Sequence, residues 1–231
     1  MNEHITIEGR DGRFDAYIAR PTSLPAPAVV VLHEVFGVNE DIRKTCDEFA
    51  ARGLIAVAPD LFWRQEPGVD LGVTSEDDWQ HGLRLYLAYD RDAGAKDVKE
   101  TVDAVAALPG CTGKVAVLGF CLGGLMALLT AMRYGVDAAV VYHGGDTEKY
   151  LGELGGFDAP LLMHLAEEDE FISKPAQAQI RTALAGRREV VVYSYPGQRH
   201  AFSRHGGAHY DADAAALASA RTMDFLQRQL R

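Results

Sequence analysis

The chain is poor in cysteine, in basic charge and in long apolar runs, and each shortage excludes something. Its three cysteines in 231 residues, Cys46, Cys111 and Cys121, are odd in number and lack metal-ligand spacing. Neither a disulfide framework nor a structural metal site is expected, and reduced thiols suit a cytoplasmic location. Lys and Arg number 23 against 33 Asp and Glu, a formal net charge of −10. That field repels phosphate backbones, so no nucleic-acid partner is expected, and an anionic substrate would need cations placed locally. No apolar run approaches bilayer-spanning length, so no membrane partner is expected either. Met1-Asn2-Glu3-His4 has neither the basic start nor the apolar core of a secretory leader. Repeats, low-complexity tracts and Pro/Ser-rich linkers are also missing. With 48% apolar and 24% charged residues, the expectation is one globular domain over residues 1–231, acting as a monomer on a small molecule.

What is present is strand and helix in alternation. Ile5-Thr6-Ile7 and Arg13 to Ala19 flank the turn sequence Gly9-Arg10-Asp11-Gly12, which predicts an antiparallel hairpin at a sheet edge. Ala28 to Leu32 and Leu54 to Ala58 are continuous apolar runs, the mark of parallel strands covered on both faces. Between them Asn39 can cap a helix with Glu40 and Asp41 in its first turn and Ile42, Cys46 and Phe49 on its buried stripe, ending at Gly53. Helices are predicted from Ser75 to Tyr89 and from Ala93 to Leu108, the second with Val98, Val102 and Val105 on one face. Cys111, in a Pro-Gly-Cys-Thr-Gly turn, reads as an exposed loop thiol.

Further strands are predicted at Ala138 to Tyr142, Pro160 to His164 and Glu189 to Ser194, and a Gly-rich loop from His143 to Phe157 that is open to partial folding. Pro175 opens a helix running through Leu184, and a closing helix from Asp211 to Leu230 bears Ala214, Leu217, Ala218 and Phe225. This alternation predicts a doubly wound, mostly parallel α/β sheet with helices on both faces. Ligand sites in such sheets lie beyond the carboxyl ends of the strands.

The chemistry is concentrated in Lys114 to Arg133. Val115-Ala116-Val117-Leu118 breaks into Gly119-Phe120-Cys121-Leu122-Gly123-Gly124 and resumes as Leu125-Met126-Ala127-Leu128-Leu129, which reads as strand, sharp turn, helix. Gly-x-Cys-x-Gly is the nucleophile elbow of the α/β-hydrolases with cysteine in place of serine. Such a turn strains its central residue and presses its flanking glycines against other backbone. Taken alone, the pattern also fits a small buried cysteine in a Gly-rich turn.

In that superfamily an acid and then a histidine follow the nucleophile along the chain. Here the loops after two later strands carry Ala166-Glu167-Glu168-Asp169-Glu170 and Pro196-Gly197-Gln198-Arg199-His200-Ala201-Phe202. A cysteine is only a few per cent thiolate at neutral pH, so it needs a base, and the base needs an orienting carboxylate. Cys121 would attack and His200 would move the proton. Asp169 would fix the tautomer, with Glu167, Glu168 and Glu170 as rival acids. On this reading activity falls on the acid side as His200 takes up a proton.

Leu32-His33-Glu34-Val35-Phe36-Gly37, together with Gly119 to Gly124, Asp169, His200-Ala201-Phe202, Pro59-Asp60-Leu61 and Arg64-Gln65-Glu66-Pro67-Gly68, resembles the dienelactone hydrolase family over nearly the whole chain. The resemblance implies an α/β-hydrolase fold and hydrolysis of carboxylic esters or lactones through an acyl-cysteine intermediate, without cofactor or metal. It selects Asp169 among the four acids. It implies that Glu34 contacts the cysteine in the resting site and helps make the thiolate when substrate binds, and that the Val35 and Leu122 N–H groups form an oxyanion hole. A physical reason supports Glu34, because a carboxylate at the mouth of an apolar strand end is costly unless something keeps it there.

Arg204 matches a family arginine that binds the substrate carboxylate, and Phe36 and Phe202 are expected beside the substrate. The chain departs from the family at Trp79, which stands where a second arginine would in a gapless reading, and at Leu83, in place of a tyrosine. The hydrolytic residues are intact while the specificity pocket is altered, which favours bulkier or less charged esters over dienelactone.

Two other classes suit the same scaffold, a thiol-dependent acyl-transfer or redox enzyme and a non-catalytic binding protein. A redox role calls for a resolving cysteine in a motif with Cys121, which neither Cys46 nor Cys111 supplies. A binding protein has no use for Cys121, Asp169 and His200 together. His33-Glu34 lacks the second histidine of a zinc-protease helix, His143, His164, His205 and His209 read as loop or packed histidines, and no P-loop or dinucleotide fingerprint occurs.

Overall fold

A computed structural model of the chain describes residues 3–231; Met1 and Asn2, half of the segment read for a leader, lie outside the described residues. The first two strands, β1 (Glu3–Gly9) and β2 (Gly12–Ala19), form the antiparallel hairpin expected from the turn at residues 9–12. In chain order there follow β3 (Ala26–Leu32), α1 (Glu40–Ala51), β4 (Ile55–Pro59), α2 (Glu76–Ala88), α3 (Arg91–Ala106), β5 (Cys111–Phe120) and α4 (Leu122–Tyr134). The chain closes with β6 (Ala138–Tyr142), β7 (Leu161–Ala166), α5 (Lys174–Leu184), β8 (Val190–Tyr195) and α6 (Ala212–Gln229). All eight strands belong to one sheet of order β1-β2-β4-β3-β5-β6-β7-β8, parallel from β4 onward.

Side-chain alternation sorts the central strands onto two cores. On β3, Ala28, Val30 and Leu32 point to the core shared with Val98 and Val102 of α3, Leu125 and Leu129 of α4 and Ile180 of α5. Val29 and Val31 point the other way, to Ile42 and Cys46 of α1 and to Ala218 and Leu226 of α6. Both faces are therefore dry, which is why β3 reads as an unbroken apolar run. Each fully buried Leu, Ile or Val contributes about 1.5–3 kcal/mol over an exposed one.

Local chemistry sets the helix starts. Asn39, Ser75, Asp90, Ser173 and Asp211 each accept a backbone N–H of the first turn through the side chain. The Asp90 cap starts α3 at Arg91, two residues before the sequence pattern suggested. Asp60 fastens the loop after β4, its carboxylate accepting from Phe62 N at 2.9 Å and Gly68 N at 2.7 Å.

Two expectations are corrected. Cys111 is not a loop thiol but the half-buried first residue of β5, paired with Ala26. Leu217 leaves the α6 stripe and is 47% exposed. The Gly-rich loop does fold in part, residues 147–156 winding into 3₁₀ turns. Among the described residues no helix is long and apolar enough to cross a membrane.

The winding of the sheet positions the site. From β3 the chain moves outward to β4, then crosses back to β5 on the other side of β3. Crossovers leave these two neighbours in opposite directions, which opens a crevice at their carboxyl ends. Glu34 follows β3 and Cys121 follows β5. His143, Asp169 and His200 follow β6, β7 and β8.

Candidate active site

Backbone crowding builds the turn after β5. A Cβ on Gly119 would lie 2.1 Å from the Gly123 carbonyl oxygen, and one on Gly123 would lie 2.2 Å from that of Leu32. Strand β5, helix α4 and the end of β3 thus meet backbone to backbone, and both positions require glycine. Cys121 sits between them at φ 51, a left-handed conformation that costs a non-glycine residue about 1–3 kcal/mol. Its N–H donates to Tyr142 O on β6 at 3.1 Å, and its carbonyl accepts from Leu125 N at 3.1 Å. The side chain reaches the cavity. Beside it, the Leu122 N–H is the first amide of α4, without an intrahelical acceptor and at the positive end of the helix.

His200 Nδ1 donates to both oxygens of Asp169, at 2.9 and 3.0 Å. The Asp169 carboxylate is fully covered and also accepts from Phe171 N at 2.8 Å and Ile172 N at 3.1 Å. Its rivals are separated by place. Glu168 is exposed and paired with Lys174, while Glu170 pairs with Arg199 and accepts from the His200 backbone N at 3.2 Å. With Nδ1 committed, Nε2 of His200 has no hydrogen-bond partner, and Cys121 is the neighbour that most favours the protonated ring. Burial disfavours the charged ring, but the sulfur and then Asp169 outweigh it and push His200 up to about 10.

Glu34 is buried, as its place at a strand end suggested, but its partner is a cation. Arg204 Nε and Nη2 donate to its two oxygens at 2.5 and 2.9 Å, with 14% and 6% of the respective side chains exposed. Both residues line the cavity. Glu34 therefore occupies the Nε–Nη2 edge of Arg204, where the sequence analysis expected Arg204 to meet the substrate and Glu34 the cysteine. His33 steers this segment. Its Nε2 accepts from Leu61 N at 2.9 Å, so Nδ1 carries the proton and donates to Glu34 O at 2.6 Å. Burial lowers the His33 pKa, consistent with a neutral ring.

The cavity above Cys121 has a volume of about 740 Å³. Val35 and Trp79, expected at the site, line it. Phe36 and Phe202 do not: at 2% and 0% exposure they are buried beneath it. Phe36 packs under the Arg204 guanidinium, 4.9 Å from ring centroid to carbon, and Phe202 packs against the Tyr195 ring at a tilt. Phe171 takes the place of an aromatic wall, 6.0 Å from Trp79 and 4.7 Å from the His200 ring.

Tyr86, Arg91, Asp146 and Lys149 also line the cavity, and no sequence motif singled them out. A signal existed on α2, where Trp79, Leu83, Tyr86 and Leu87 fall at helical spacing, with Leu87 71% exposed instead of packed in the core. His143, read as loop or packed, is packed directly against the His200 ring at 4.4 Å, edge on, with neither nitrogen hydrogen-bonded. Burial first, then the neighbouring His200 and Arg204, hold its pKa well below the ordinary value. Glu34, His143 and His200 bring one carboxylate oxygen and two ring nitrogens within 4.8 Å of one another. A metal there would compete with Arg204 for Glu34.

A family model described as the dienelactone hydrolase family matches residues 14–230. A relative from Azospirillum brasilense is 40% identical over 223 residues, covering 96% of each chain. The carboxymethylenebutenolidase of Pseudomonas putida is 36% identical over 227 residues, covering 98% of this chain and 96% of its own. In fold, a solved structure from Klebsiella pneumoniae superimposes with a TM-score of 0.86 at 24% identity, over 98% of both chains.

Proposed function

The chain belongs to the dienelactone hydrolase family, hydrolases of carboxylic ester and lactone bonds, and from that premise we propose that it opens such bonds through Cys121, His200 and Asp169 by way of an acyl-cysteine. One observation carries the reading. The Asp169–His200 hydrogen bonds leave Nε2 as the ring nitrogen free to act, in a cavity that Cys121 also lines, and Cys121 is the neighbour that most favours the protonated ring.

The steps follow from proton positions. The raised pKa of His200 keeps its proton through neutral pH, and attack uses Cys121 as the thiolate beside the imidazolium. The thiolate attacks the carbonyl carbon, and the oxygen takes up the electron pair between the Val35 and Leu122 N–H groups. As the tetrahedral adduct collapses, the carbon–oxygen bond to the alcohol breaks and His200 Nε2 gives the alkoxide its proton. Neutral His200 then takes a proton from water as the water oxygen attacks the thioester. Collapse releases the acid and restores the ion pair. Asp169 holds the tautomer throughout and stabilises each imidazolium. In a lactone the leaving alkoxide stays tethered to the acyl group, and the order of steps is the same.

Trp79, Phe171 and Leu83 give the cavity an apolar wall suited to an extended acyl or alcohol group. The test is hydrolysis of a chromogenic short-chain ester by the wild type and by Cys121→Ala, with the trapped acyl-enzyme weighed intact. Turnover confined to the wild type, and an added acyl mass lost in the variant, is the expected result. Activity in Cys121→Ala above about a tenth of wild type refutes the covalent step.

A further inference from the structure

His143 is buried at a cost that the hydrolytic steps do not use. It follows β6 with its backbone at φ 37, and its N–H donates to His164 O on β7 at 2.9 Å. The residue is 1% exposed, and neither ring nitrogen has a hydrogen-bond partner. Buried polar groups are nearly always paired, because a bare one forfeits its bonds to water. Packing does not account for this one. A phenylalanine would fill the same space against Phe120, His200 and Phe202 without burying two nitrogens.

Those nitrogens sit beside a ligand set. One ring nitrogen each of His143 and His200 and one carboxylate oxygen of Glu34 lie within 4.8 Å of one another. Three atoms so spaced share a centre no farther than about 2.8 Å from any of them, against about 2.0–2.2 Å for bonds from zinc to nitrogen and oxygen. Small side-chain rotations close that gap. At His200 the free atom is Nε2, since Asp169 holds Nδ1, and a carboxylate on the far nitrogen is the usual orienting partner of a metal-binding histidine. Glu34 and His200 line the cavity, so an ion reaches the cluster from there, and buried His143 closes it from within. Arg204, which donates to both Glu34 oxygens, competes with the ion and holds its affinity down.

We propose that Glu34, His143 and His200 bind a divalent ion of the zinc kind, and that the ion reversibly switches the enzyme off. Two imidazoles and one carboxylate suit zinc and its transition-metal neighbours, whereas Mg2+ and Ca2+ take oxygen ligands. The ion takes the Nε2 lone pair as that nitrogen releases its proton to solvent. His200 then has no proton for the leaving group and no free nitrogen to act as base toward water. Binding is independent of the hydrolase reading; the inhibition rests on it.

The experiment titrates Zn2+ alone into the wild type, Cys121→Ala and His143→Phe by calorimetry, beside hydrolysis of the chromogenic ester. One ion per chain should bind to the wild type and to Cys121→Ala, and a chelator should restore wild-type activity. His143→Phe keeps the bulk of the ring and should still hydrolyse the ester, but should need at least about tenfold more zinc to bind and to be inhibited. Mg2+ should neither bind nor inhibit. Zinc X-ray absorption of the loaded wild type needs no variant and should show nitrogen and oxygen ligands at about 2.0–2.2 Å; a sulfur ligand at about 2.3 Å overturns the proposal. So do a wild type that binds no zinc, binding that vanishes in Cys121→Ala, and zinc sensitivity unchanged in His143→Phe. An ion bound as described by a chain that hydrolyses no ester would keep the site and overturn the hydrolase reading together with the inhibition.

Discussion

Removing Arg204 exposes how the cavity mouth is held together. Arg204→Ala deletes both donors to Glu34 and leaves a carboxylate with 6% of its side chain exposed facing an apolar strand end. At an effective dielectric of about 20, two unit charges about 4 Å apart attract by about 4 kcal/mol. Breaking a buried pair by deleting one partner costs about 3–5 kcal/mol, because the other charge stays behind unpaired. The cavity lets water reach part of this pair, which puts the expectation near about 3 kcal/mol. For a chain of this size that is a fall in Tm of roughly 6–12 °C. Glu34→Gln should cost a similar amount by stranding the guanidinium.

The double variant Glu34→Gln with Arg204→Ala buries no unpaired charge, so its loss should fall well short of the sum of the two. Urea denaturation of the four proteins gives the coupling directly, and a value of at least about 1 kcal/mol is expected. Additivity within about 0.5 kcal/mol would show that the two side chains do not depend on one another, and would refute the account of Glu34 as a group held by Arg204.

The pH profile follows from His200. Since Cys121 and Asp169 overcome burial and push it up to about 10, kcat/KM should fall on the alkaline side near that value as His200 loses the proton it gives to the leaving group. An acid limb at an ordinary histidine pKa is not expected, since His200 already carries its proton there. A rate that rises with an ordinary histidine pKa and stays flat to high pH would contradict the ion pair. At the turn, Gly123→Ala would set a Cβ 2.2 Å from Leu32 O and should cost about 1–3 kcal/mol and most of the activity. Gly152→Ala, where nothing lies within 4 Å, should be neutral in thermal melts, and equal effects at the two sites would undo the crowding argument.

Much of this molecule could be read along the chain because the relevant signals are local. The Asn39 cap, the Ile42-Cys46-Phe49 stripe and the two-faced run of β3 each express a backbone period or a first-turn hydrogen bond, and a few neighbouring residues suffice to define them. The Cys121 turn is of the same kind. Its glycines are required by contacts that follow whenever a buried strand turns sharply into a helix. The order of Cys121, Asp169 and His200 carried further, since successive parallel strands deliver their ends to one edge of the sheet.

Partner choice lay beyond that reach. Glu34 and Arg204 are 170 residues apart, and nothing near either indicates that they pair with each other in preference to the cysteine or a substrate. Local pattern likewise could not say that Phe36 and Phe202 sink beneath the cavity while Leu217 turns outward, because burial at an element's margin depends on what packs across from it. The sequence by itself determined the elements, their order and the Cys121 turn, all set by short-range sterics and hydrogen bonding. The tertiary structure alone decided which charges neutralise each other and which remain to meet a ligand, since that depends on distances between strand ends and helices that no segment of the chain encodes on its own.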